Sequence, residues 1–279
     1  MEFISENSFL LLLLSVFAVY FIFFKLIPFI KNQNNPKDAD DDFVPLTFNP
    51  SSTLSSEEYK KISIGAIYSE MQEAYINSLT TGLDDEIIRM TAQDWWNIYN
   101  KETALDTLNY LKDKGFNYYF PSVYKAFSHA SINEQKKIIL SGLNPHGNLT
   151  EKEKETYKED IEKALAQVSN LQNSYEELIN EDVISSKEDI QFYGVLGWDY
   201  GRLSYLARIC YDAKYLTEEE AWEFINEAYD KAQKHFTSWN DFAKSYVIGR
   251  AAWSGVEEIA SIAHNLLNNP NSPWVKLSW

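Results

Sequence analysis

From residue 57 onward the apolar positions recur every three or four residues, and no segment of sustained alternation interrupts them. Ser56-Glu57-Glu58 reads as the start of a helix that buries Ile62, Ala66, Ile67, Met71, Ala74 and Tyr75 and stops near Gly82. Asp84 opens a second helix toward Trp95-Trp96, Thr103 to Lys114 a third that ends at Gly115, and Ser122 to Ser131 a shorter one. Residues 141–148 form a loop by composition. Beyond it Tyr157, Ile161, Leu165, Val168, Leu171, Tyr175 and Leu178 keep the spacing of one long amphipathic helix. Gln191 to Lys214, Thr217 to Phe236, Trp239 to Trp253 and Val256 to Asn268 complete the set, so the fold class predicted for residues 57–279 is all-α, a compact multi-helix domain.

The N-terminus has a different pattern. The run from Phe9 to Phe24 is broken only by Ser15 and continues through Lys25 to Leu26-Ile27-Pro28-Phe29-Ile30. At about 1.5 Å per residue this segment reaches roughly 33 Å, enough for a hydrocarbon core of ~30 Å. No Lys or Arg precedes the run and no A-x-A-like site follows it, which disfavours a cleaved signal peptide. The expectation is a single transmembrane helix anchoring residues 1–30, then a flexible polar linker over 31–56 rich in Asn, Asp, Pro and Ser. Lys31 and Lys37 follow the span and no basic residue precedes it, which orients the body toward the cytoplasm as a single-pass inner-membrane protein.

Composition narrows the function classes. The chain of 279 residues carries 25 Lys+Arg against 41 Asp+Glu, a formal charge of -16, and most of this excess belongs to the body. Such a surface argues against nucleic acid, whose binding rests on basic contacts to phosphate. The single Cys210 excludes an intramolecular disulfide, and His129, His146, His235 and His264 lack ligand spacing, so no metal and no cofactor is expected.

The densest chemistry is Gly194 to Arg202, continuing through Arg208, Cys210 and Tyr211. Three glycines in helical register weaken a helix by roughly 1 kcal/mol each, which close approach of a neighbouring helix would offset. Asp199 and Arg202, three apart, can form an ion pair that fixes helix packing or a ligand site with a perturbed carboxylate, while Arg208 lies on another face. Ser238 reads as an N-cap rather than a nucleophile, since no strand-to-helix elbow exposes it. Arg250, set among Tyr246, Gly249 and Trp253, needs a carboxylate, with Asp199 and Glu220 as candidates. Trp198, Trp239 and Trp253 stand out among the eight tryptophans as core or as interface anchors.

At Gly197-Trp-Asp-Tyr-Gly-Arg202, Ala207-Arg208, Tyr211, Glu219-Glu220-Ala221-Trp222, Phe236-Thr-Ser-Trp239, Gly249-Arg-Ala-Ala-Trp253 and Ser272-Pro-Trp274 the sequence resembles the bacterial domain-of-unknown-function family 1266. Gly65-Ala-Ile-Tyr68 and Asp94-Trp95-Trp96-Asn-Ile98 resemble its N-terminal half, with 116–185 poorly matched. The resemblance implies a mainly helical bacterial domain and carries over no catalytic residue. Two functions remain in view. One is a membrane-anchored module that binds a protein partner, an immunity-type neutraliser being one form. The other is a small-ligand or enzymatic domain whose Arg/Asp/Glu pocket, built from Asp199, Arg202, Glu220 and Arg250, takes an anion.

Overall fold

The computed structural model describes residues 43–145, 147 and 149–279. The body, Pro45–Trp279, contains helices and no strand among these residues. In chain order they are α1 Ser56–Ile62, a 3-10 turn Ser63–Gly65, α2 Ala66–Met71, α3 Asp85–Arg89, a π turn Met90–Trp95 and α4 Lys101–Asp113. Then follow α5 Phe120–Phe127, α6 Ile132–Gly142, the long α7 Glu151–Asn180 and α8 Lys187–Tyr193. The C-terminal part holds α9 Leu196–Asp212, α10 Glu218–His235, α11 Trp239–Ser254, α12 Ala260–Asn268 and α13 Pro273–Lys276.

Helix α9 is the centre of the body, packed by α10, α11, α4, α2 and the 3-10 turn. Every residue from Gly197 to Cys210 is buried, so this helix has no solvent face. Its polar residues Asp199, Arg202, Ser204 and Arg208 are therefore held where each must find a partner inside the protein. The glycines make the approach of α11 close. A Cβ on Gly197 would lie 2.6 Å from Phe242 O and Tyr246 N, and one on Gly249 would lie 2.3 Å from Trp198 Cβ. Close helix approach is thus what offsets their poor helix propensity.

Several elements differ from the sequence pattern for local reasons. The helix expected from Ser56 to near Gly82 is interrupted by the 3-10 turn, where Gly65 packs against Tyr205 N and Ser63 O also accepts from Trp274 Nε1 at 2.9 Å, and it ends at Met71, so that 72–84 is a loop. The segment expected to run from Gln191 to Lys214 splits at Gly194, which adopts φ 62 and ends α8. Helix α6 was not apparent from its short apolar period, and α13 was hidden by Pro273. By contrast, the long helix keeps its predicted face: Val168, Leu171 and Leu178 are buried, with Tyr157, Ile161, Leu165 and Tyr175 packed beside them.

The expected span over residues 9–30 and the first part of the linker lie outside the described residues. Among the described residues no helix is long and apolar enough to cross a membrane. Residues 45–54, expected to belong to the linker, instead lie along the body. Leu46 and Leu54 pack on the core, Ile76 N donates to Thr47 O at 3.0 Å, and Asn49 and Asn77 bond reciprocally at 2.7 and 3.0 Å. A run of Asn, Pro and Ser conceals this strap because it is held by polar pairing rather than by an apolar period.

Candidate functional site

The eight residues singled out by sequence fall into four places. Trp198, Asp199, Arg202, Arg250 and Trp253 come together where α9 faces α11. Arg208, Trp239 and Glu220 do not join them.

Glu220 corrects the expectation of one Arg/Asp/Glu pocket. It is the third residue of α10, its backbone N–H donates to Thr217 Oγ1 at 3.3 Å, and Thr217 N donates to its carboxylate at 2.9 Å. Its salt bridge is to Lys101, and that hydrogen bond together with the capping contact holds its carboxyl below the usual range. A reciprocal cap keeps the side chain at the helix start, away from Arg250.

Trp239 belongs to a second aromatic group. Its indole stacks on Trp274 at 5.2 Å, meets Trp279 edge-on at 4.6 Å, and donates to Leu277 O at 2.8 Å. This ring closes the C-terminal segment over the core. Ser238 caps α11 by accepting from Asp241 N at 3.1 Å, as the pattern suggested.

Arg208 is fully buried and anchors the 72–84 loop. It donates to Leu79 O at 3.2 Å, Ser69 Oγ at 2.8 Å, Thr80 O at 3.3 Å and Tyr75 O. Asp212 ties down the same loop by accepting from Thr81 N and Oγ1 at 2.7 and 2.6 Å. Burial pushes the guanidinium down to about 10, with Tyr205 and Asp212 opposing, so it stays charged at neutral pH. The carbonyl cage makes Arg208 a structural cation. Cys210, on the same buried helix, has its thiol pushed up to about 12 by burial and is no nucleophile.

Asp199 and Arg202 form a buried ion pair, as expected from their spacing. The carboxylate also accepts from Phe116 N and Asn117 N, both at 2.9 Å, and so fastens the loop after α4 to α9. Gly115 precedes those amides at φ 54, and a Cβ there would lie 2.5 Å from the carboxylate, which explains glycine at this position. Burial pushes the Asp199 carboxyl upward, while Arg202 and the two amides pull it back. This pair is a complete packing device.

Arg250 is different. One of its terminal nitrogens, Nη2, pairs with Glu258, while Nη1 is buried with no partner within the protein. Three further buried polar atoms nearby are also without one: Trp198 Nε1, Tyr205 OH and Tyr246 OH. Their rings adjoin. Trp198 lies 5.2 Å from Tyr246 and 5.9 Å from Tyr68, which stacks on Tyr205 at 4.6 Å. Arg250 sits 5.8 Å from the Trp198 ring and 4.6 Å from that of Trp253. Arg202 lies over Trp198, Phe116 and Trp96 at 4.7, 5.1 and 5.7 Å. Burial pushes the Tyr246 phenol far up, with Tyr68 adding to it and Arg202 and Arg250 opposing, so all of these groups share one field. Each buried polar group without a partner costs on the order of 1–3 kcal/mol. The arrangement is donor-rich, aromatic-walled and suited to an acceptor carrying negative charge. Trp253 is 50% exposed and forms the solvent side of the cluster. Among the described residues no group of His, Cys, Asp and Glu is placed to hold a metal ion.

Sequence reasoning passed over Tyr68, Tyr205 and Glu258 as site members. Trp198–Arg202 and Tyr246–Arg250 repeat one-turn aromatic–Arg spacing on two helices, a signal that points to a shared face. Glu258 could not be told from Glu257, because the chain reversal at Gly255 decides which carboxylate meets Arg250 while Glu257 caps Ile259 N and Ala260 N at 2.7 and 2.6 Å.

Comparison with known proteins places this chain in a family. The chain is 23% identical over 158 residues to "Uncharacterized protein YbeU" of Escherichia coli (strain K12), covering 57% of this chain and 54% of that protein. It is 28% identical over 65 residues to "Uncharacterized protein YbeR" of the same organism, covering 23% of this chain and 28% of that protein. The chain thus spans about half or less of the length of these relatives. No solved structure matches it. The model of one family matches residues 92–279, which takes in Asp94 to Ile98 and every motif from Gly197 onward and leaves Gly65 to Tyr68 outside. The chain belongs to that family, described as "Protein of unknown function (DUF1266)".

Proposed function

We propose that the protein is a membrane-tethered binding module whose helical body takes up a small anionic ligand at Arg250, between α9 and α11. The observation that carries this reading is the buried guanidinium of Arg250, with one nitrogen on Glu258 and the other without a partner, 5.8 Å from the Trp198 ring, which in turn lies 5.2 Å from that of Tyr246; Trp198 Nε1 and Tyr246 OH are likewise buried without partners. A fully paired Arg250 would have supported packing alone. In this reading residues 9–30 are the tether, supported by their apolar run, and the lysines after them favour a cytoplasmic body. Of small carboxylates and phosphate added in turn to the full-length chain, at least one is expected to raise its melting temperature in proportion to the logarithm of concentration. Arg250→Gln should abolish that rise, and a wild-type melting temperature unmoved by all of them counts against the reading.

A second reading, binding of a protein partner such as a basic toxin by an immunity-type neutraliser, draws on the acidic balance of -16. Affinity purification through a C-terminal tag, with residues 1–56 alone as control, tests it: a stoichiometric partner that depends on the body supports it, and salt-insensitive capture removes its electrostatic basis.

A further inference from the structure

We infer that the ligand at Arg250 is a small aromatic carboxylate whose ring takes the place of the Trp253 indole against the guanidinium. This rests on the anion reading above and narrows it by charge, donor set and shape. The cluster is already balanced in charge: Arg202 is matched by Asp199 and Arg250 by Glu258. A phosphate dianion would bring two uncompensated charges into a buried place, on a chain whose formal charge of -16 repels polyanions at longer range. A carboxylate brings one charge, spread over two oxygens in a plane.

The donors fit such a group. One guanidinium nitrogen, one indole N–H and the phenol of Tyr246 are buried without partners, and the two neutral donors add no charge of their own. The walls supply the third argument. Arg250 is faced by the Trp198 ring on α9 and by the Trp253 ring at 4.6 Å, and of these two Trp253 is 50% exposed whereas Trp198 is 3% exposed. Trp253 stands next to the last residue of α11, where Asn170 Nδ2 donates to its carbonyl at 2.7 Å. Its backbone is held while its ring lies at the surface, so rotation of that side chain uncovers the guanidinium without moving the helix. A benzene-sized ring entering there restores the cation–π contact and presents its carboxylate to the inner donors.

Calorimetric titration of the full-length chain with benzoate, acetate, inorganic phosphate and benzyl alcohol tests this. Benzoate is expected to saturate about tenfold more tightly than acetate or phosphate, and benzyl alcohol not to saturate. Tyr246→Phe removes only a hydroxyl that has no partner within the protein; it should keep the melting temperature and weaken benzoate about tenfold. Trp253→Ala, at a half-exposed position, should bind benzoate at least as tightly as the wild type. Acetate or phosphate binding as tightly as benzoate overturns the aromatic assignment and leaves the anion reading standing. Failure of every anion to saturate at millimolar concentration overturns both. Benzoate binding that is unchanged by Tyr246→Phe overturns this site as its location.

Discussion

Arg208 and Arg250 are both buried arginines, on adjacent helices of one core, and their surroundings differ in kind. Arg208 is enclosed by three backbone carbonyls and a serine hydroxyl and holds the 72–84 loop against α9. Arg250 has a carboxylate on one side and an indole on the other, and one nitrogen left over. Burial alone therefore does not mark an arginine as functional. The mark is a donor that the fold leaves unsatisfied next to others in the same condition, because a protein that needed only packing gains by closing such bonds or by replacing the groups with apolar ones.

The strongest test of this contrast is Arg208→Met. It strands the carbonyls of Tyr75, Leu79 and Thr80 in the core, and the expected loss is about 3–5 kcal/mol in denaturant unfolding. Asp199→Asn comes next. The amide nitrogen cannot accept from Phe116 N or Asn117 N, so one backbone donor loses its acceptor and Arg202 loses its counter-charge, for a loss of about 2–4 kcal/mol. If either variant unfolds like the wild type, the structural half of the comparison is wrong.

Gly249→Ala sharpens the comparison at the helix interface. Its Cβ would meet Trp198 Cβ at 2.3 Å, and the overlap should outweigh the ~1 kcal/mol gained in helix propensity, giving a net loss of about 1–2 kcal/mol. The same push displaces Trp198 from Arg250, so ligand binding should suffer more than stability does.

The half-buried carboxyl of Glu70 settles in a third way. Its Oε1 has no partner, and burial pushes its carboxyl from the ordinary 4.5 up to about 7, against a hydrogen bond from Thr47 in the strap. The folded protein thus holds this proton more tightly than the unfolded chain. Its contribution to stability is complete below about pH 4.5 and is lost as pH rises toward about 7. Glu70→Gln is expected to flatten that part of the stability profile, measured by unfolding at a series of pH values; an unchanged slope would assign the pH dependence elsewhere. The smallest effect belongs to Tyr246→Phe, which should alter stability by no more than about 0.5 kcal/mol because no bond within the protein is lost.

Much of the body was legible in the chain because helical periodicity survives wherever one face is buried, as in α7 with Val168, Leu171 and Leu178. Asp199–Arg202 was legible for the same reason: a spacing of three on one helix fixes the contact. What escaped depends on long-range closure. The cage around Arg208 is made by a loop more than a hundred residues earlier, and its ligands are carbonyls, which every residue has and no side-chain pattern reveals. That Arg250 needs a carboxylate is legible in the sequence but which one is not, since Glu220 is held by its own helix cap while Glu258 is delivered by the turn after Gly255. The strap over 45–54 went unseen because Asn49 and Asn77 pair across 28 positions without any apolar repeat.

The central claim, that Arg250 and its neighbours form a ligand site rather than a packing defect, is tested most directly by the indole N–H signals of the tryptophans in nuclear magnetic resonance. Trp239, Trp274 and Trp279 donate to backbone carbonyls at 2.8–2.9 Å and serve as internal controls, whereas Trp198 Nε1 has no acceptor within the protein. On titration with benzoate, acetate or phosphate in turn, the Trp198 signal should move saturably under at least one of them while the three controls stay in place. A Trp198 signal that none of the three anions moves, or one that moves only together with the controls, would contradict the account.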